Sequence, residues 1–187
     1  MFLRTLATAA CTLSLALAPT AARAQMGSMQ MAPSDGKALP SPATTATVSL
    51  LGQTLTIKYN SPHMRGRRIM GAQVPYNQIW RTGANPATTL ITPISLHIGS
   101  LLVPAGTYTI YTLPTEKKWM LIINRQTGQW GTEYHQEQDL GRVEMKSHDL
   151  DSPQEVMSIS FDDIKRDSAE LHIRWEKADE SIKITTP

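Results

Sequence analysis

Three stretches of this chain alternate apolar and polar residues with a period of two. Leu55, Ile57 and Tyr59 are interleaved with Thr54, Thr56 and Lys58; Leu171, Ile173 and Trp175 with His172, Arg174 and Glu176; Ile182 and Ile184 with Lys183 and Thr185. Successive side chains of a strand point to opposite faces, so this pattern lays one face on a core and the other in water, which a helix of 3.6 residues per turn does not do. Shorter runs rich in β-branched and aromatic residues follow the same logic at 87–92, 95–98, 107–113, 119–124, 142–146 and 156–161. Gly99 with Ser100 reads as a two-residue hairpin turn, and Gly52 marks another tight reversal. The expectation is an all-β fold, an antiparallel β-sandwich or open barrel, jelly-roll-like, of about nine strands. Helix is confined to a turn or two around 76–80 and 134–140.

The N-terminus is of a different kind. Arg4 gives a basic start, residues 6–18 are almost wholly apolar or small, and Ala22, Arg23 and Ala24 fit a small-x-small cleavage pattern before Gln25. Residues 1–24 are therefore read as a secretory signal, which implies a periplasmic or secreted protein. The apolar run is too short to span a bilayer, and no later segment reaches the roughly 20 apolar residues a membrane helix needs. Cys11 is the single cysteine. It faintly suggests a lipoprotein cleavage box after Ala9 and Ala10, but Thr8 stands where an aliphatic residue belongs and the apolar run continues beyond. Residues 25–45 lack any period and read as a flexible leader; their Met26, Met29 and Met31 have no His or Cys beside them, a weak basis for soft-metal capture. Residues 46–187 read as one domain, held by its core rather than by disulfides. Without Arg4 and Arg23 the 18 basic residues become 16, against 16 acidic ones, a balance that argues against nucleic acid as a partner.

Within the domain one set of residues forms a pattern of its own. It runs through Ser61, Pro62, Gly66, Arg67, Ile69 and Gly71, then Val74, Pro75, Tyr76 and the string Trp80, Arg81, Thr82, Gly83, Ala84, Asn85. It continues through Ala87, Thr88, the stretch 104–108, Pro114, Trp119, Asn124, Trp130, Gly131, Tyr134, Asp139 and Arg142. This pattern resembles the bacterial domain-of-unknown-function family 2911 over nearly the whole domain. The resemblance implies an exported protein with an all-β fold and transfers no mechanism. Met70 departs from it, standing where the family pattern more often has Phe, and His63 lies outside the shared motif.

The segment 74–89 is a long irregular connection, and such connections on a rigid β scaffold are where binding residues usually sit. Arg81 beside aromatic rings presents a planar fork of donors suited to a carboxylate, phosphate or sugar hydroxyl. Asn85 precedes Pro86 and is expected to be extended, with its amide aimed sideways. Equally, Trp80 reads as a core plug, Arg81 as the partner of buried carbonyls or of Asp139, and Gly83 as a turn.

Other constellations are thinner. Glu133, His135 and Asp139 offer a metal or acid–base set, yet no H-x-H or H-E-x-x-H spacing supports zinc. No G-x-S-x-G elbow is present. Glu133 and Asp139 are the carboxylate pair available to a glycan or ester hydrolase, with Arg81 steadying developing charge. The pairs Lys117, Lys118 and Lys165, Arg166 read as solvated hairpin tips, and Tyr108 and Tyr111 lie on opposite strand faces.

The reading these residues support first is noncatalytic binding of a small polar or anionic ligand, or of an envelope glycan or peptide. The cleft for it is built from Arg67, Tyr76, Trp80, Arg81 and Asn85, with Tyr108, Asn124 and Tyr134 contributing. It calls for no cofactor, metal or membrane span and leaves the oligomeric state open. The alternatives are the hydrolase and a structural envelope protein.

Overall fold

The computed structural model describes residues 41–187. The expected signal 1–24, Cys11 and the methionines of the leader lie outside the described residues. Ten strands follow in order: β1 (Ala43–Leu50), β2 (Gln53–Asn60), β3 (Thr88–Thr92), β4 (Leu96–Ile98), β5 (Leu101–Val103), β6 (Gly106–Pro114), β7 (Trp119–Asn124), β8 (Asp139–Glu144), β9 (Lys146–Asp162) and β10 (Ser168–Thr185). They form a six-stranded sheet, β1-β2-β3-β6-β7-β8, and a four-stranded sheet, β5-β4-β10-β9. Every pairing between these strands is antiparallel. The two sheets do not close on each other, so the fold is a sandwich rather than a barrel. No described helix is long and apolar enough to cross a membrane.

The alternating residues do what their period requires. Leu55, Ile57 and Tyr59 from one sheet meet Leu171, Ile173, Trp175, Ile182 and Ile184 from the other in a single buried cluster. Leu51 and Gly52 both take positive φ, 50° and 76°, in the two-residue turn that joins Leu50 to Gln53. That mirror-image turn twists in the same sense as its flanking strands. Gly99 and Ser100 likewise join Ile98 to Leu101.

The β10 strand contains a contradiction that its backbone has to resolve. Leu171, Ile173 and Trp175 put odd positions inside, whereas Ile182 and Ile184 put even ones inside. A strand of strict period two cannot do both. Register shifts therefore fall between Arg174 and Glu176 and between Glu176 and Ala178, and Glu176 takes a φ of 54°. Past these bulges the inward phase is even, and it carries Glu180 into the interior at 3% exposure.

A smaller cluster of Ala87, Tyr111 and Ile122, with Ile79, Leu113 and Tyr134 packed on it, forms on the other face of β6 and β7. Residues 125–139 cover it. Tyr111 donates to the Glu133 carbonyl at 2.6 Å, and Gln129 Nε2 donates to Thr109 Oγ1 and Tyr111 Oη at 3.2 and 3.0 Å. Tyr108, three residues earlier on the same strand, faces the main core instead and donates to the Pro104 carbonyl at 3.1 Å.

Some elements differ from expectation. β1 begins at Ala43 rather than 46, and β9 begins at Lys146 rather than 156. The first half of β9 has an almost wholly polar, exposed sequence, so its pairing with β10 through the backbone leaves no trace in the apolar pattern. The only described helical turn is a 3-10 turn at Gln136–Gln138. No helix forms at 76–80, because the N–H groups of Asn77 and Trp80 are donated to the Pro114 and Thr112 carbonyls of β6 at 2.8 Å each.

Candidate functional site

The segment 80–85 touches β6 by one isolated bridge at Trp80 and then bends away from it. Trp80 bridges Thr112 through the backbone and turns its ring into the core. There it stacks on Trp175 (centroids 5.9 Å apart, 19° between planes) and meets Trp119 edge-on at 5.9 Å. Such pairs contribute about 0.5–1.5 kcal/mol each beyond burial. Thr82 is buried, donates to Thr112 Oγ1 at 3.2 Å, and accepts at its carbonyl from Thr88 Oγ1 at 2.9 Å. Gly83 leaves no room for a side chain, since a Cβ there would stand 3.0 Å from both the Asn60 carbonyl and Thr88 Oγ1. Most of this string therefore holds the sheet together.

Arg81 and Asn85 turn away from that core. Asn85 is not extended as the following proline suggests but has a φ of 60°. Asparagine tolerates this left-handed geometry, and the chain needs it to fold back so that the Asn85 carbonyl accepts the Gly131 N–H at 3.1 Å. Its carboxamide reaches toward the Ser41 carbonyl at 3.4 Å. The Arg81 stem lies against Gly131. Its guanidinium finds neither buried carbonyls nor Asp139: Nε is buried without a partner, and desolvation holds its pKa below the ordinary value.

Asp139 belongs instead to a closed network. Its carboxylate accepts from Asn124 Nδ2 at 2.9 Å, Tyr134 Oη at 2.7 Å and Arg142 Nε at 2.9 Å, and Arg142 also donates to Tyr134 Oη at 2.6 Å. Asn124 Nδ2 donates further to the His135 carbonyl at 2.9 Å, while its Oδ1 accepts the Gln126 N–H at 2.9 Å. Burial first, then the hydrogen bond and charge of Asp139, push the Tyr134 hydroxyl up to about 12. Burial pulls the Arg142 guanidinium down, but Asp139 and Tyr134 together outweigh it and leave the pKa above its ordinary value. Of the expected acid–base set, Glu133 is exposed and His135 pairs with Glu137 at 3.0 Å rather than with Asp139. Among the described residues no group of three or more His, Cys, Asp or Glu is placed to hold a metal ion.

A hollow lies elsewhere among the described residues, at one end of the sandwich, where the bulged part of β10 faces the 64–76 loop and the β6–β7 turn. Its volume is about 570 Å³. The loop contributes Met64, Arg68, Met70 and Tyr76; the turn contributes Glu116, Lys117 and Lys118, and β7 its first residue Trp119; β9 and β10 contribute Ser147, His148, Asp149, Glu176, Lys177 and Glu180. Glu176 clamps loop to strand, its carboxylate accepting the Ile69 and Met70 N–H groups at 3.3 and 2.9 Å. Gly71 is required beneath Tyr76, where a Cβ would come within 2.9 Å of the ring. Arg68, Lys117, Lys118 and Lys177 are exposed at the rim together with the acidic Glu116 and Asp149, and Lys118 is tied to Glu144 at 2.8 Å.

Glu180 is the buried acid of this cavity. Ser147 Oγ donates to it at 2.6 Å, and no cation pairs with it. Burial, with smaller repulsion from Asp179 and Asp149, outweighs the Ser147 hydrogen bond and raises its pKa to about 7.

The eight residues singled out in the sequence thus fall in separate places. Tyr76 alone lines the cavity. Arg81 and Asn85 share a corner with Gly131, Asn124 and Tyr134 belong to the Asp139 network, and Trp80 and Tyr108 pack in the core. Arg67 is exposed and braces its own loop, donating to the Met64 and His63 carbonyls at 2.9 and 2.8 Å and to Gln73 Oε1 at 3.1 Å. Sequence reasoning missed Glu180, although a signal was there: it is in phase with Ile182 and Ile184.

No curated protein and no solved structure matches this chain. The family described as Protein of unknown function (DUF2911) matches residues 41–184, well over half of the chain, and the protein belongs to that family.

Proposed function

We propose that this domain binds, without chemistry, a small polar ligand in the end cavity, and that Glu180 anchors it. The observation that carries the reading is a carboxyl at 3% exposure lining a hollow of about 570 Å³ with no basic partner. Buried carboxylates are ordinarily paired, so the partner is sought in the ligand, as a protonated amine or a strong hydrogen-bond donor. Tyr76 and Trp119 would flank its apolar body. The basic start and apolar run of residues 1–24 support action outside the cytoplasm.

The hydrolase reading loses its first support because Asp139 is engaged by three donors and Glu133 lies on an exposed loop. It keeps one observation in its favour, that Glu180 titrates near neutral pH, where a general acid or base works best.

The test is a melting-temperature screen at pH 8 with amino acids, dipeptides and amino sugars beside their N-acetylated forms. Amine-bearing members should stabilise the protein and acetylated ones should not. Below about pH 7 the affinity should weaken about tenfold per pH unit as Glu180 takes up its proton, and Glu180→Gln should abolish the shift. Absence of any stabilisation across the panel at millimolar concentration would overturn the reading, and turnover of an ester or glycoside lost in Glu180→Gln would replace it with the enzymatic one.

A further inference from the structure

Among the described residues three arginines are withdrawn from full exposure: Arg81, Arg142 and Arg174. Arg142 pairs with Asp139, and Arg174 with Asp162 and Asp179. Arg81 has no carboxylate, carbonyl or hydroxyl of the described residues at any of its nitrogens. Nε is fully covered and unpartnered. The two terminal nitrogens have no acceptor among the described residues either and are not among the covered atoms, so they are the outward face of the group.

The position of that face is set by packing. The Arg81 stem crosses Gly131 so closely that a Cβ built there would lie 2.1 Å from Arg81 Cδ and 2.7 Å from the Asn85 carbonyl. A long side chain immobilised in this way has already lost the rotamer freedom that binding would otherwise cost. Trp130, the residue before Gly131, is 51% exposed and bridged through its backbone to Pro86.

Gln129, the residue before Trp130, also carries an unmet polar atom. Gln129, 8% exposed, accepts the Ala87 N–H at its carbonyl and carries an unpartnered, covered Oε1. The orientation of its amide is fixed by the neighbours. Thr109 Oγ1 already donates to the Gln126 carbonyl and Tyr111 Oη to the Glu133 carbonyl, so both hydroxyls have only acceptor capacity left for Gln129 Nε2. Arg81 Nε and Gln129 Oε1 are both covered, so of these groups only the terminal nitrogens of Arg81 are open to a ligand.

We propose that this corner is a second binding site, separate from the end cavity, in which the Arg81 fork holds the carboxylate of a small organic acid and Trp130 covers the body of that acid. The charge count selects the ligand. No other charged group acts on Arg81, and one guanidinium matches a planar monoanion with two parallel hydrogen bonds, whereas a phosphate near −2 calls for further cations or a nest of N–H groups.

The test is titration of the intact protein with benzoate, benzamide and inorganic phosphate, read by Trp130 indole NMR shifts. Benzoate should saturate in the millimolar range, and benzamide and phosphate should not. Arg81→Gln should weaken benzoate at least tenfold, and Arg81→Lys, which keeps the charge and stem but loses the fork, should weaken it measurably with cooperative melting retained. Glu180→Gln should leave benzoate binding unchanged, which separates this site from the cavity. Equal response to benzoate and benzamide, wild-type affinity in both Arg81 variants, or no saturation at all would overturn the proposal and leave Arg81 as a stem packed on Gly131.

Discussion

Asp139, on the six-stranded sheet, and Glu180, at the end cavity, are carboxylates taken largely out of water by opposite routes. Asp139 stands at the start of β8 and is met by an amide, a phenol and a guanidinium, each within 2.9 Å. Glu180 has been turned inward by two strand bulges and is met by one serine hydroxyl. In the first region the charge is a brace, and the hydrogen bonds that satisfy it also pin residues 124–142 over the second apolar cluster. In the second the pKa is raised to about 7 because burial outweighs the single hydrogen bond, from Ser147, that favours the ionised form. Depth of burial alone does not separate a structural acid from a candidate binding acid; the number of donors that meet it does.

The largest way to break this contrast is to remove the charge from Glu180. The unfolded chain ionises this group near 4.5 and the folded chain near 7, so its contribution to stability is fully present below about 4.5 and is lost as pH rises to about 7. The loss amounts to about 3 kcal/mol at roughly 1.4 kcal/mol per pKa unit. Glu180→Gln should therefore match the wild type in urea denaturation at pH 4.5 and exceed it by about 3 kcal/mol at pH 8. A variant that is less stable at both pH values would show that the carboxylate is satisfied after all.

The same isosteric change at Asp139 should act with the opposite sign. Asp139→Asn strips Arg142 of its partner and should cost about 2 kcal/mol at neutral pH, at the low side for a buried pair because Arg142 keeps 30% exposure. Tyr134→Phe keeps the ion pair and removes one bridging hydroxyl, for an expected loss of about 1 kcal/mol by the same measurement. Smallest is Lys118→Met at the cavity rim. Its pair with Glu144 is more than half exposed on both sides, and the change should stay within about 0.5 kcal/mol. A larger effect there would mean that the rim is part of the fold and not only of the cavity mouth.

The strands whose inner faces are apolar were legible from alternation or, as for 119–124, which is β7 end to end, from a short apolar run. The polar half of β9 was not, because a strand held by backbone pairing at a sheet margin imposes no alternation on its side chains. Within the candidate site Tyr76 was legible as an aromatic in an irregular loop. Arg68 was passed over for its neighbour Arg67, since an arginine that braces a loop and one that lines a hollow have the same sequence environment. Lys117 and Lys118 were legible as an exposed tip, and only folding placed that tip beside β10.

By itself the sequence determined the class of fold, the two short turns and the inward faces of most strands, because these follow from local periodicity and from glycine at positions of positive φ. Tertiary structure decided which polar groups meet. Asp139 with Arg142 spans three residues, but Glu180 with Ser147 spans 33 and Glu176 with Met70 spans 106. Whether a charge is a brace or an anchor depends on donors brought from that far along the chain, and no local pattern records them.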